Sequence, residues 1–174
     1  MTPKVRTLLA LIAVILPLDQ LTKTLVVSNI ERGSYWAPIA ALDGFFRVTH
    51  ARNPGGALGL AQSVPVFVFV ALTLVALVMI GSFFRRIEPH DRLSAVSLGL
   101  IVAGALGNLT DRIARGGEVV DFLQFNLGLF IFPDFNVADS AITIGVALLL
   151  LEVVTHETEE GVTRKSVPGG EKDR

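Results

Sequence analysis

"VPVFVFVALTLVALVMIGSFF", residues 64–84, runs for 21 residues without a charge. At about 1.5 Å of rise per residue such a stretch covers roughly 30 Å, the thickness of bilayer hydrocarbon, so it reads as a membrane span. Three further stretches have similar length and character: Leu8–Val27, broken by Pro17, Asp19 and Lys23; Leu93–Thr110; and Val137–Val154. The whole chain agrees with them. Of its 174 residues 51% are hydrophobic and only 18% charged, against about 25% charged in an average soluble domain. Mean hydropathy is +0.60. Lys4 and Arg6 before the first run could mark a secretory leader. No small-x-small cleavage site follows, however, and the run continues past Asp19, so it is read as mature protein.

The expected architecture is therefore an α-helical integral membrane protein with four transmembrane helices. Lys and Arg set its orientation. The short link "RRIEPHDR" (85–92), the N-terminus and the C-terminal tail hold the basic excess, which predicts that both termini are cytoplasmic. Two longer links, at about 28–63 and 111–136, then face outward. The first contains "GFFRVTHAR" (44–52), which is rich in aromatic and β-branched residues and reads as a strand. The second, "EVVDFLQFNLGLFIF" (118–132), is too apolar for a free loop and is expected to lie on the membrane surface or to pack on that strand. Residues 1–156 form one domain in this reading, and the polar segment 157–174 is a disordered tail. Ala95, Gly99, Ala103 and Gly107 repeat at every fourth position and predict a close helix contact.

Several function classes drop out. A net charge of −1 leaves no nucleic-acid footprint, and the absence of cysteine removes disulfides, thiolate metal sites and a Cys nucleophile. His50, His90 and His156 share no ligand spacing, so no metal site is expected. The polar residues of the spans and links gather toward one membrane face: Asp19, Asn53, Asn108, Asp111, Arg112, Asp121, Asn136 and Asp139. Polar residues inside spans commonly mark function. Each also has a structural reading. Asp19 and Lys23 are spaced as a helical ion pair. Asn136 in "NVAD" can be an N-cap with Asp139 completing a capping box. Asp111 and Arg112 can form a surface ion pair. Asp121 in "VVDF" is harder to explain this way, because it has apolar neighbours and no adjacent base. Paired with Asp139 it would suit amide hydrolysis. One carboxylate holds a proton as acid while its ionised partner activates water, and neither a metal nor a cofactor is needed. A Ser140/Lys23 pair is the other hydrolytic possibility. An ion transporter and a non-catalytic assembly factor are rival classes, although no internal repeat is visible.

"DQLTK" (19–23), "NPGGA" (53–57), "GNLTDR" (107–112), "VVDF" (119–122) and "FNVADS" (135–140) occur in that order. Together they resemble the motif set of the bacterial lipoprotein signal peptidases, the signal peptidase II family. The resemblance covers about 150 residues. It implies four membrane helices with a small extracytoplasmic β-sheet and a surface loop or helix, in the bacterial cell (inner) membrane. It implies an aspartic endopeptidase without cofactor, which removes the signal peptide from diacylglyceryl-modified prolipoproteins on the N-terminal side of the lipidated cysteine. Its catalytic pair falls on Asp121 and Asp139. Its supporting polar residues fall on Asn53, Asn108, Arg112 and Asn136, while Asp19, Lys23 and Asp111 are structural or orienting. Membrane lipid as surroundings, globomycin-type cyclic peptides as inhibitors and a monomeric state follow in the same way. Gly56, Leu58, Ala103 and Asp134 depart from the usual pattern. The apolar side chains of the second link, Phe122, Leu123, Phe125, Leu127, Leu129 and Phe130, are expected to meet lipid or lipidated substrate.

Overall fold

Each apolar run becomes a helix, three of the four longer than the run and α2 equal to it in length. In the computed structural model, which describes residues 1–55 and 64–165, α1 is Pro3–Asn29, α2 Val66–Arg86, α3 Arg92–Ala114 and α4 Val137–Lys165. All four contain segments long and apolar enough to cross a bilayer. Pro17 lies inside α1 without ending it, as membrane helices tolerate. Gly56, Leu58 and residues 166–174 lie outside the described residues; of the segment 157–174 expected as a disordered tail, residues 157–165 continue α4.

The bundle is built on α3. Its buried residues include Ala95, Gly99, Ala103, Gly104 and Gly107, so the predicted small-residue stripe is a contact surface. A methyl group at Gly99 would stand 2.6 Å from Leu11 of α1, and one at Gly107 2.7 Å from the Asp19 carboxylate. Gly104, which the stripe did not include, would collide with the Ala138 carbonyl oxygen of α4. Glycine thus brings two helices against α3 on adjacent faces. By contrast α2 has no buried residue. Lys4 ties it to α1 by donating to the carbonyls of Phe84 (3.0 Å) and Ile87 (2.6 Å) at its end.

The two long links meet as one antiparallel sheet in the order β1-β2-β3-β4, from Tyr35–Trp36, Phe46–Asn53, Val119–Asn126 and Ile131–Phe135. Of the two expectations for residues 118–132, strand pairing is the one observed. The central strand β3 is regular. Both irregularities put the extra residue in its partners, between Val48 and Ala51 of β2 and between Phe132 and Phe135 of β4. Side chains on β3 therefore alternate without a break, and Asp121 projects from the face opposite Val120 and Phe122. Val120 and Phe122 form a small core with Val26 of α1. This corrects one expectation: Phe122 is 5% exposed and is a packing residue that a lipid cannot reach.

Candidate active site

Two acidic clusters stand side by side where α1, α3, α4 and β3 converge. The first centres on Lys23, which is wholly buried. Its ammonium group contacts Asp19 at 2.9 Å and Asp111 at 3.1 Å and donates to Asn108 Oδ1 at 3.0 Å. All three ammonium hydrogens are thereby used. Arg115 adds a second cation, with Nε 3.1 Å from Asp111 Oδ1. The carboxylates also serve the backbone. Asp19 Oδ1 accepts the Ala138 N–H at 2.9 Å, and Asp111 Oδ2 accepts the Val120 N–H at 3.0 Å. Asp19 so caps the start of α4 from a different helix, where the helix dipole favours a negative charge. Gln20 bridges the two acids, donating to Asp19 Oδ2 (3.1 Å) and Asp111 Oδ1 (3.0 Å).

The Asp19–Lys23 pair read from spacing is therefore present. The Asp111–Arg112 surface pair is not. Asp111 is fully buried and bonded to Lys23 and Arg115, because successive helical residues point to different faces. Arg115 and Gln20 were missed by the sequence reading. Arg115 was legible, since it follows Asp111 by four positions, the spacing of a helical ion pair.

The second cluster holds Asp121 and Asp139, and its direct partners are amides. Asn53 Nδ2 donates to Asp121 Oδ2 at 3.1 Å, and Asn136 Nδ2 donates to Asp121 Oδ1 at 2.7 Å. Asn108 Nδ2 donates to Asp139 Oδ1 at 2.7 Å. Asn136 spans the pair, because its Oδ1 accepts the Asp139 backbone N–H at 2.8 Å. The N-cap read from "NVAD" forms. Asp139 does not complete a capping box; its carboxylate turns to Asn108 instead. Asn108 links the clusters, with Lys23 on its oxygen and Asp139 on its nitrogen.

Burial pushes the Asp121 carboxyl up to about 6, with the nearby Asp139 charge acting in the same direction. The hydrogen bonds from Asn53 and Asn136 and the charge of Lys23 oppose both. Arg112 completes the group. Its guanidinium lies 5.4 Å from the Phe69 ring centroid, and Asp139, Asp121 and Asp111 all act on it electrostatically. Its Nε is buried with no hydrogen-bond partner, while Nη1 donates to the Asn108 carbonyl at 3.4 Å.

The other candidates are placed elsewhere. Ser140 Oγ donates to the Asn136 carbonyl at 2.9 Å and Lys23 is fully engaged, so the Ser/Lys pair is not assembled. Asp134 accepts from Thr49 (2.7 Å) and Gln124 (2.8 Å) across the sheet and is not among the groups acting on Asp121. His50 is a joint between elements, with Nδ1 on the Ile30 carbonyl and Nε2 accepting from Arg52. Among the described residues no three His, Asp or Glu side chains converge on one point as a metal set would.

Residues 11–155 match the family model described as signal peptidase (SPase) II. The chain belongs to the signal peptidase II family. The lipoprotein signal peptidase of Geobacter metallireducens is 42% identical over 162 residues, 92% of this chain and 98% of that one. That of Geobacillus thermodenitrificans is 39% identical over 150 residues, 86% of this chain and 91% of its own. A solved structure described as a bacterial membrane enzyme, obtained by the in meso method at 2.3 Å resolution, superposes with a TM-score of 0.80 at 30% identity, covering 97% of this chain and 94% of that one. As a signal peptidase II the chain is a multi-pass membrane aspartic endopeptidase.

Proposed function

We propose that this signal peptidase II cuts diacylglyceryl-modified prolipoproteins on the N-terminal side of the lipidated cysteine, with Asp121 and Asp139 as its catalytic pair. One observation carries the assignment. Of the four acids gathered at this junction, Asp121 and Asp139 are the two bonded directly by neutral amides rather than by a cation. Amides orient a carboxylate without fixing its charge, so this pair can share and exchange a proton.

The steps follow from that difference. Asp121, whose carboxyl is pushed up to about 6, holds the proton. Asp139 is ionised, steadied by Asn108, and takes a proton from a water whose oxygen attacks the scissile carbonyl carbon. The carbonyl π electrons move to oxygen. Their return expels the amine, which receives the Asp121 proton as the C–N bond breaks. Arg112 directs its guanidinium toward the substrate backbone. Asn53, Asn108 and Asn136 hold the two acids, while Asp19, Lys23 and Asp111 hold the helices that carry them.

The basic excess of the termini and of residues 85–92 supports cytoplasmic termini and an outward-facing site. The family resemblance implies a monomeric enzyme, and a globomycin-type cyclic peptide would act by occupying the same acids. The substrate's lipid matters because it holds the cysteine at the depth of the carboxylates, converting remote binding into positioning. The test is cleavage of matched peptides, with and without the diacylglyceryl group, by the purified protein in one detergent. The lipidated peptide should be cut far faster. Equal rates would leave a general membrane aspartic protease as the better description.

A further inference from the structure

The sheet has two ends of different character. Near α4 it carries Asp121 and Asn53. At the other end, the β3–β4 hairpin closes in a hydrogen-bonded turn. Leu127 N–H donates to the Phe130 carbonyl at 3.0 Å, and Gly128 N–H donates to Asn126 Oδ1 at 2.9 Å. Gly128, at φ +82°, adopts a conformation that favours glycine. Leu129 at the apex is 99% exposed, while Phe45, Leu127, Phe130, Ile131 and Phe132 around it are each about half exposed. No charge occurs between residues 122 and 133. Phe125 braces this end from within, with ring centroids 5.5 Å from Phe45 and 5.1 Å from Phe46.

A braced turn that projects its apolar side chains outward is built for a nonpolar surrounding. The surroundings follow from continuity. Only residues 115–118 separate α3 from β3, and only Asn136 separates β4 from α4, so the root of the hairpin stands at the mouth of two membrane spans. At about 3.3 Å per residue its apex is no more than about 30 Å from that boundary. The opposite edge strand repeats the character with Tyr35 and Trp36, both half exposed, residue types favoured at membrane interfaces.

We propose that the β3–β4 hairpin is a lipid anchor, inserting Leu129 and Phe130 into the acyl region of the same leaflet. Strand β3 is then held at both ends, by the Val120–Asp111 bond at its root and by lipid at its tip. This anchoring sets the depth of Asp121 in the membrane. The reading of the hairpin rests on exposure and topology, not on which acids do the chemistry.

The chain has no cysteine, so single thiols can be introduced for spin labelling in phosphatidylethanolamine/phosphatidylglycerol vesicles. Labelled Leu129→Cys should match labelled Val78→Cys on the lipid-facing helix α2, accessible to oxygen and shielded from a nickel chelate. Nickel accessibility like that of labelled Arg32→Cys, an exposed charged position, would place the tip in water and overturn the proposal. Spin–spin broadening that vanishes on dilution with unlabelled protein would make a second copy the occupant, and would overturn it too. The double variant Leu129→Glu/Phe130→Glu should keep its melting temperature and lose at least roughly tenfold in kcat/KM on lipidated substrate in vesicles, because Asp121 is then misplaced relative to the scissile bond. Unchanged kcat/KM would overturn the depth-setting role.

Discussion

The cluster around Lys23 and the pair Asp121/Asp139 use the same acidic residue, share Asn108 and differ in everything else. In the first, Asp19 and Asp111 face two cations and each caps a backbone N–H. Their geometry is spent on joining α1, α3, α4 and β3. In the second, three asparagines supply the direct hydrogen bonds, and among the described residues no cation bonds either acid directly. On the proposed assignment the partner separates a structural buried acid from a reactive one, since a salt bridge favours the ionised form more strongly than an amide donor does.

The most forceful way to break this comparison is to remove the exchangeable proton. Asp121→Asn and Asp139→Asn should each reduce cleavage by several orders of magnitude, and the double variant should be little worse than either, because the pair acts as a unit. Stability should move the other way for Asp121. Its raised pKa means that the folded state binds the proton more tightly than the unfolded chain does. Ionisation therefore costs stability as pH rises from about 4 to about 6, and that cost persists above. At pH 8 Asp121→Asn should melt no lower than the parent protein. A lower melting temperature would make this acid structural.

Next in size is an attack on the other cluster. Lys23→Met leaves Asp19 and Asp111 buried with one cation between them, and breaking a buried pair costs about 3–5 kcal/mol. Thermal unfolding in detergent should drop sharply, and whatever folded enzyme remains should cut slowly. A Lys23→Met protein of normal stability and no activity would move Lys23 into the chemistry and dissolve the distinction.

Two smaller effects sharpen it. Asn53 donates to Asp121 and favours its ionised form. Asn53→Ala should shift the alkaline limb of the kcat/KM profile upward from its position near 6, since losing a donor to the carboxylate raises its pKa further. A downward shift would contradict the assignment of Asp121 as proton holder. Ser140→Ala removes a hydroxyl already bonded within its own helix and should leave turnover unchanged; a dead variant would restore the serine reading.

The sequence carried the spans because a bilayer imposes length and apolarity on every residue of a run; three of the four predicted runs lie wholly within a helix, and the fourth starts two residues before α2. It also carried the residues now gathered at the site, through spacing and through their resemblance to an ordered motif set. It did not carry their partners. Asp19 and Ala138 lie 119 positions apart, and no local pattern says that a carboxylate on the first span will cap the fourth. Phe122 was misread for a related reason. Apolar residues in an outer link can face lipid or core, and only the packing of α1 against β3 separates Phe122, which is buried, from Leu129, which is not.

Asn136 and Asp139 stand at the start of the last helix, and this has a consequence in time. Chain order brings Asp121 out of the ribosome first, with Asn53 and Asn108 already made. Nothing that precedes Asn136 can supply the second carboxylate or the amide that spans the pair. With Asp121 and Asp139 as the proposed pair, a nascent chain of three spans would carry most of the site and none of the activity. On that assignment proteolytic competence arrives as a single late event, when the fourth span docks on Gly104 and receives Asp19 as its cap.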